Sequence, residues 1–217
     1  MTKKVHAAKP YRRPHSNQLR IIGGTLKRSS IHFPATAGLR PTPDRVRETL
    51  FNWLAPYIQG AVCLDLFAGS GVLGLEAVSR GACSCTLIEQ DSVVSQSIKQ
   101  NVARLFAGQD HSHIVILQED VLHWLGKAEN LTGYTIVFID PPYQAQLLPQ
   151  ILALIQKRHT ALYHTAWFYL ESSQPLSHQS LHHHVLQRLH PVKTAHYGQI
   201  YFGLYQATPL QDSGGAK

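Results

Sequence analysis

No stretch of the 217 residues comes near the ~18–20 consecutive apolar residues that a membrane-spanning helix needs. The basic N-terminus leads into no apolar run or cleavage site, so it does not read as a secretory signal. Nothing repeats at the 20–50-residue period of solenoids or propellers. Cysteine is scarce: Cys63, Cys83 and Cys85 are an odd count, lack metal-ligand spacing and lie in apolar surroundings. That suits a reduced, cytoplasmic protein with buried thiols rather than a disulfide framework. Acid is nearly missing from residues 1–47, where Asp44 stands alone against eleven Lys and Arg. The remaining residues carry nine Lys and Arg against twelve acids, so the whole formal charge of +7 resides at the N-terminal end. A basic attachment of this kind fits a polyanion, and nucleic acid is the expected partner. With 44% hydrophobic and 15% charged residues, the rest can bury the core of one ordinary domain.

Residues 1–18 are basic, aperiodic and contain two prolines, and read as a mobile arm. Residues 19–58 follow as an N-terminal extension. From Arg20, a small hairpin is expected to turn at Gly23-Gly24 and to end at Pro34. Thr42 suits an N-cap and Pro43 a first helical position. Val46, Leu50, Trp53 and Leu54 then recur at helical spacing, as a core-facing stripe that leaves Arg45 and Arg47 outside it.

Over residues 59–207 the texture alternates. Strands are expected at Val62–Phe67, Ser84–Glu89, His113–Gln118, Tyr134–Ile139 and Ala166–Leu170. Helices are expected at Val72–Arg80, Ser92–Phe106 and Leu147–Arg158. Strands separated by helices of this length predict an α/β fold, a parallel sheet with helices on both faces. No helix fits between Val185–Leu189 and Gln199–Tyr205, so these two should pair antiparallel at one edge, joined by a loop from Pro191 to Gly198. Residues 208–217 are polar and Gly-rich, and read as a frayed tail.

Two places carry chemistry. Asp65-Leu-Phe-Ala-Gly-Ser-Gly71-Val-Leu-Gly74 puts G-x-G-x-x-G between a strand and a helix, the context that motif requires. Phe67, Ala68, Gly69, Ser70 and Gly71 form a loop whose backbone a ligand can approach closely, beside free amides at a helix start. Glu89, eighteen residues after Gly71, ends the next strand, where an acid can accept from both ribose hydroxyls of an adenosine. The pattern fits a dinucleotide or S-adenosylmethionine; the Asp65 carboxylate under the turn suits a cationic amino-acid tail better than a pyrophosphate.

Asp140-Pro141-Pro142-Tyr143 follows an apolar strand, on the edge where open α/β sheets bind ligands. A carboxylate and a proline carbonyl supply two acceptors, and Tyr143 a flat face. The matching ligand is an amine on a planar ring. Such an amine is a poor nucleophile, because its lone pair is delocalised. Two acceptors pulling on its hydrogens localise that pair toward an electrophile, which a sulfonium methyl would provide. Asp120, after the third strand, is placed either to accept from the adenine amine of a cofactor or to start a helix. Trp124 fits the core or the wall of a cofactor pocket. His178 and His182–His184 read as a polar linker, and no metal site is expected.

The blocks Arg20-Ile-Ile-Gly-Gly, Arg40-Pro-Thr-Pro-Asp-Arg-Val-Arg-Glu-Thr-Leu-Phe-Asn52, Asp65–Gly71, Val137–Tyr143 and Tyr197-Gly-Gln-Ile-Tyr resemble the RsmD family. The resemblance spans roughly residues 19–206. The family consists of bacterial methyltransferases acting on N2 of one guanine of 16S ribosomal RNA, at position 966. It implies a Rossmann-like class I S-adenosylmethionine-dependent methyltransferase fold, a mostly parallel seven-stranded sheet with an antiparallel edge. It implies cofactor contacts at Asp65, Phe67–Gly71, Glu89 and Asp120, with Asp140, Pro141, Pro142 and Tyr143 holding the base. The basic hairpin (Arg20, Lys27, Arg28) and the Arg40–Arg47 block (Arg40, Arg45, Arg47) would approach the RNA or the site mouth. The family usually has Gly-Arg where this chain has Arg28-Ser29. The substrate would be the RNA within a small ribosomal subunit or its assembly intermediate, with the enzyme a monomer. Another RNA or a DNA amine is the alternative target. A nicotinamide-dependent dehydrogenase would leave Asp140–Tyr143 and the basic arm without a purpose.

Overall fold

The computed structural model describes residues 16–35, 41–127, 131–142, 147–176 and 189–207. The expectations for residues 1–15, Arg40, Tyr143, His178, His182–His184, residues 185–188 of the expected edge strand and the tail fall outside them. Seven strands form one sheet: β3 (Val62–Asp65), β4 (Ser84–Glu89), β5 (Ile114–Gln118), β6 (Ile136–Ile139), β7 (Trp167–Ser172), β8 (Leu189–Tyr197) and β9 (Ile200–Ala207). Their order is β5-β4-β3-β6-β7-β9-β8, parallel through β7 and antiparallel at β9 and β8. The chain builds outward from β3 in one direction, then returns to place β6 on the other side of it. That reversal opens a crevice beyond the carboxyl ends of β3 and β6, the location where such sheets hold ligands.

Alternation along the strands divides the core in two. Cys63, Ile136, Phe138 and Tyr169 face one cluster, which takes in α1 (Asp44–Leu54), α2 (Val72–Ser79) and α3 (Ser92–Leu105). Leu64, Val137, Ile139, Phe168 and Leu170 face the other, covered by α4 (Val121–Lys127), α5 (Leu147–Arg158) and α6 (Thr160–Thr165). Residues of β6 are buried on both faces, as parallel strands between helix layers must be. Each such Ile, Val or Phe contributes ~1.5–3 kcal/mol by leaving water.

The N-terminal extension packs on the first cluster. β1 (Ser16–Arg20) and β2 (Ser30–Pro34) pair antiparallel. The strand therefore starts before the expected hairpin, at Ser16, and Gly23-Gly24 is not its turn. The glycine pair belongs to the long connection over residues 21–29, which clasps the end of α2. Thr25 N–H donates to the Ser79 carbonyl at 2.7 Å, Leu26 N–H to Ser79 Oγ at 2.9 Å, and Ser79 Oγ to the Gly23 carbonyl at 2.6 Å. Gly24 has φ +74°, and a Cβ there would lie 1.7 Å from the Ser79 carbonyl oxygen. This approach, rather than a tight hairpin, is what requires glycine. On the other side, Asn101 Nδ2 and Ser97 Oγ of α3 donate to the His32 carbonyl.

The other departures are local. Helices α4 and α6 are one to two turns long, too short for periodicity to reveal. The region expected as a loop from Pro191 is strand: β8 continues to Tyr197, with a register shift between Pro191 and Lys193 that accommodates a residue without an N–H. Only Gly198 and Gln199 remain as the turn, with Gly198 at φ +58° as the first position of a type II′ turn demands.

Candidate active site

Strand register brings a row of carboxylates to the carboxyl edge: Asp65 ends β3, Glu89 ends β4, Asp140 follows β6, and Glu171 lies near the end of β7. Asp65 is buried beneath the glycine loop. Its Oδ2 accepts from Gly74 N–H at 3.2 Å, and its Oδ1 has no partner among the described residues. Burial pushes its pKa to about 7, against the pull of the Gly74 and Phe67 amides and with a further push from Glu89. An orphaned carboxylate oxygen inside a protein is an acceptor awaiting a donor.

Glu89 ties the loop to β4. Oε2 accepts from Gly69 N–H at 2.9 Å and Oε1 from Asp91 N–H at 2.8 Å. Burial raises its pKa, and those two amides oppose the rise. Each oxygen retains capacity for one more donor. Gly69 and Gly71 take φ +52° and +78°, and a Cβ at Gly71 would press on Ile98 at 3.1 Å. Ala68 N–H donates to the Ile88 carbonyl at 2.9 Å, and Ser70 is buried, so the Phe67–Gly71 loop is fixed before any ligand arrives. Asp120 caps α4: its Oδ1 accepts from His123 N–H at 2.8 Å. Its Oδ2 has no partner among the described residues. Trp124 packs in the second core cluster.

Across the crevice stands Asp140, followed by buried Pro141 and exposed Pro142. The Asp140 Oδ2 accepts from Thr42 Oγ1 at 3.2 Å. Its carboxyl also hydrogen-bonds that of Glu171, which is 2% exposed and accepts from Tyr169 Oη at 2.6 Å. Burial, and then the negative charge of Glu171, drive the Asp140 pKa well above the usual carboxylate range.

Three expectations need correction here. Thr42 does not cap α1; Pro43 stands at the N-cap without a side-chain bond, and the Thr42 hydroxyl goes to Asp140. Arg47 does not lie off the buried stripe. It is 0% exposed, and its guanidinium donates to the Thr42 and Arg20 carbonyls at 3.2 and 3.0 Å and pairs with Asp44 and Glu76. A guanidinium so enclosed has no donor to offer a phosphate, which removes Arg47 from the RNA-facing set. Cys83 is exposed, unlike Cys63 and Cys85. Arg20, Lys27, Arg28 and Arg45 are exposed as expected. Arg45 lies over the Tyr197 ring, 5.5 Å from its centroid, so α1 and the β8–β9 turn meet beside the site.

Sequence reading missed Glu171, Thr42 as a partner of Asp140, and Tyr197 as a partner of Arg45. For Glu171 a signal existed: one acid in the otherwise apolar Trp167-Phe-Tyr-Leu-Glu171, on the strand after the one that ends in Asp140.

A family model described as Conserved hypothetical protein 95 matches residues 19–206. The Escherichia coli K12 protein named Ribosomal RNA small subunit methyltransferase D is 49% identical over 141 residues, 65% of this chain and 68% of that protein. A solved Escherichia coli structure described as a putative methyltransferase, yhhF, superimposes with TM-score 0.73 at 41% identity, covering 88% of this chain and 98% of its own. The Bacillus subtilis protein named Putative rRNA methyltransferase YlbH is 39% identical over 142 residues, 64% of this chain and 74% of that protein.

Proposed function

The chain belongs to the Conserved hypothetical protein 95 family, and on that premise we propose that it methylates the N2 amine of a guanine in small-subunit ribosomal RNA. The observation that carries the proposal is the Asp140 carboxyl at the end of β6. It faces the crevice next to the strand whose glycine loop and Asp65 suit a cationic, adenosine-bearing ligand. The guanine at position 966 of 16S RNA, in a small subunit or its precursor, is the specific target we assign.

The residues present fit S-adenosylmethionine. Orphaned Asp65 Oδ1 would take the ammonium of its amino-acid tail, Glu89 the ribose hydroxyls, and Asp120 Oδ2 the adenine amine. The Phe67–Gly71 backbone would line the cleft. When bound, the cofactor supplies a methyl group on a positively charged sulfur. The protein supplies position and polarity. Asp140 and the proline carbonyl beside it accept the two N2 hydrogens, holding the nitrogen lone pair along the line of attack. As the N–C bond forms, N2 becomes cationic and acidic, and the Asp140 carboxylate takes its proton and passes it to water. Pro141 and Pro142 have no backbone N–H, so they offer no amide donor that would occupy the carbonyl beside Asp140. To reach the pocket, the guanine must leave its stack. Arg20, Lys27, Arg28, Arg40 and Arg45 would hold the phosphates around it, giving an affinity that falls with salt.

The test is methyl transfer from labelled S-adenosylmethionine to unmodified small subunits, free 16S RNA and duplex DNA, followed by nucleoside analysis. N2-methylguanosine in the RNA, abolished by Asp140→Ala, is the expected result. Label on a DNA base would transfer the mechanism to another substrate; failure to bind the cofactor would end the reading.

A further inference from the structure

Asp140 is approached from two sides by groups that the reaction above does not use. Thr42, buried just before α1, donates its hydroxyl to Oδ2 at 3.2 Å. Glu171, one residue beyond the Ile139–Leu170 pair of β6 and β7, meets the carboxyl from the neighbouring strand. Two carboxyls can hydrogen-bond only with a proton between them. Tyr169 Oη donates to Glu171 Oε2 at 2.6 Å. Asp65, at the end of β3, is the other acid whose charge acts on Asp140.

We propose that Glu171 and Thr42 are positioning residues that decide, from opposite sides, whether Asp140 carries a proton: Glu171 holds it on, and Thr42 favours its release. The proposal rests on the assignment of Asp140 as the acceptor for the guanine amine. A hydrogen bond to the charged form of a carboxyl favours that form. Each carboxyl receives one such bond, and the one from Tyr169 to Glu171 at 2.6 Å is much shorter than the one from Thr42 to Asp140 at 3.2 Å, so Glu171 is the charged member of the pair and the shared proton sits on Asp140. The upward shift of the Asp140 pKa, caused by burial and then by the Glu171 charge, agrees with this placement. The site thereby keeps one negative charge rather than two out of water.

A consequence follows for the reaction. A protonated Asp140 can still accept an N2 hydrogen bond at its carbonyl oxygen but cannot take up the N2 proton, so Asp140 must ionise before it can receive that proton. The N2 lone pair then forms the N–C bond while the C–S bond breaks, its electron pair staying on sulfur. The proton lost from N2 goes to the Asp140 carboxylate and on to water. The rate should therefore rise with pH as Asp140 ionises. Removing the Glu171 charge should shift that rise to lower pH, and removing the Thr42 hydroxyl to higher pH.

The experiment is single-turnover methyl transfer to small-subunit RNA across a pH series, at saturating S-adenosylmethionine, for the unaltered chain, Glu171→Gln, Thr42→Val and Thr42→Ser. For Glu171→Gln the acid limb is expected about one to two pH units lower, making it the faster enzyme on the acid side. Thr42→Val should move the limb up by about one unit, Thr42→Ser should coincide with the unaltered chain, and the KM for the cofactor should stay constant. Equal losses at every pH, or shifts in the same direction for both variants, would overturn the proposal. A second readout needs no turnover: the infrared C=O band of a neutral aspartic acid, isotope-labelled and assigned through Asp140→Asn. It should be present in the unaltered chain near neutral pH and absent in Glu171→Gln; its persistence in that variant, or absence in both, overturns the placement of the proton. An Asp140→Ala chain that still methylates RNA would instead overturn the assignment of Asp140 itself.

Discussion

Arg47 and Glu76, both closed off from solvent, form an ion pair at 3.4 Å between α1 and α2. Neither is committed to the other alone. Glu76 also accepts from Ile22 N–H at 2.9 Å and from Arg80 Nε at 2.7 Å, while Arg47 holds the carbonyls of Arg20 and Thr42. The pair thus connects three things the function needs together: the exposed hairpin, the methyltransferase core and the residue that touches Asp140. It ties the N-terminal extension to the candidate site through the Thr42–Asp140 contact.

Breaking that pair from one side should be severe. Arg47→Ala leaves buried Glu76 with Arg80 alone, and Glu76→Ala leaves buried Arg47 with the exposed Asp44 alone, so each should destabilise the chain, by at most about 3–5 kcal/mol. The double replacement Arg47→Met with Glu76→Leu removes both charges and should recover most of the loss. Urea unfolding of the three variants checks this; single variants within about 1 kcal/mol of the parent would show that water reaches the pair.

Arg28 sits at φ +72°, a left-handed conformation that its Cβ disfavours. Its N–H donates to the Ile21 carbonyl at 2.8 Å, which holds the turn in place. Arg28→Gly should relieve about 1 kcal/mol of strain, partly offset by the greater freedom of glycine when unfolded. The net gain should appear as a melting temperature higher by about 1–3 °C. The same variant removes one exposed cation, so RNA affinity should fall and its dependence on salt become shallower. A chain less stable than the parent would mean that the arginine side chain supports the turn.

What was legible in the sequence follows from where chemistry and periodicity agree. The parallel strands announced themselves as short apolar runs closed by Asp65, Glu89 and Asp140, because ligand edges put polar residues at strand ends. The antiparallel edge and β9 were visible, but Pro191 made most of β8 read as a loop, and the expected strand Val185–Leu189 shares only Leu189 with it. Arg47 was misread because its neighbours Val46, Leu50 and Leu54 suggested a narrow stripe. The buried face is wider and includes Arg47 and Phe51. A lone acid in the buried helix Val72-Leu-Gly-Leu-Glu76 was the matching clue, since a buried charge demands its opposite. The Thr42–Asp140 contact joins residues 98 positions apart, and no local pattern could reveal it.

The thiols give a rapid check on the packing. Cys63 and Cys85 pair in register inside the sheet, and burial pushes the Cys63 thiol up to about 12. Cys83, on the connection between α2 and β4, is exposed. A disulfide exchange reagent at mildly alkaline pH should titrate one thiol in the folded chain and three after denaturation. Fast reaction of all three in the native state would contradict the burial of β3 and β4.

Asp65 offers the clearest dependence on pH. Its pKa is about 7 in the folded chain, against 3.8 for an ordinary aspartate, because burial disfavours the charged form. The folded state therefore holds this proton more tightly than the unfolded state does. Stability from the group is complete below the unfolded value and is lost as pH climbs toward 7, by at most about 4 kcal/mol. Asp65→Asn should abolish that decline, and urea unfolding on either side of neutrality measures it. A ligand whose ammonium pairs with Asp65 needs the ionised form. S-adenosylmethionine should bind more tightly as pH rises through about 7 and should release a proton when it binds below that value. Calorimetry in buffers of different ionisation enthalpy counts the proton directly. Cofactor affinity that is flat across neutrality, with no proton released, would place the amino-acid tail away from Asp65 and leave its orphaned oxygen to another donor.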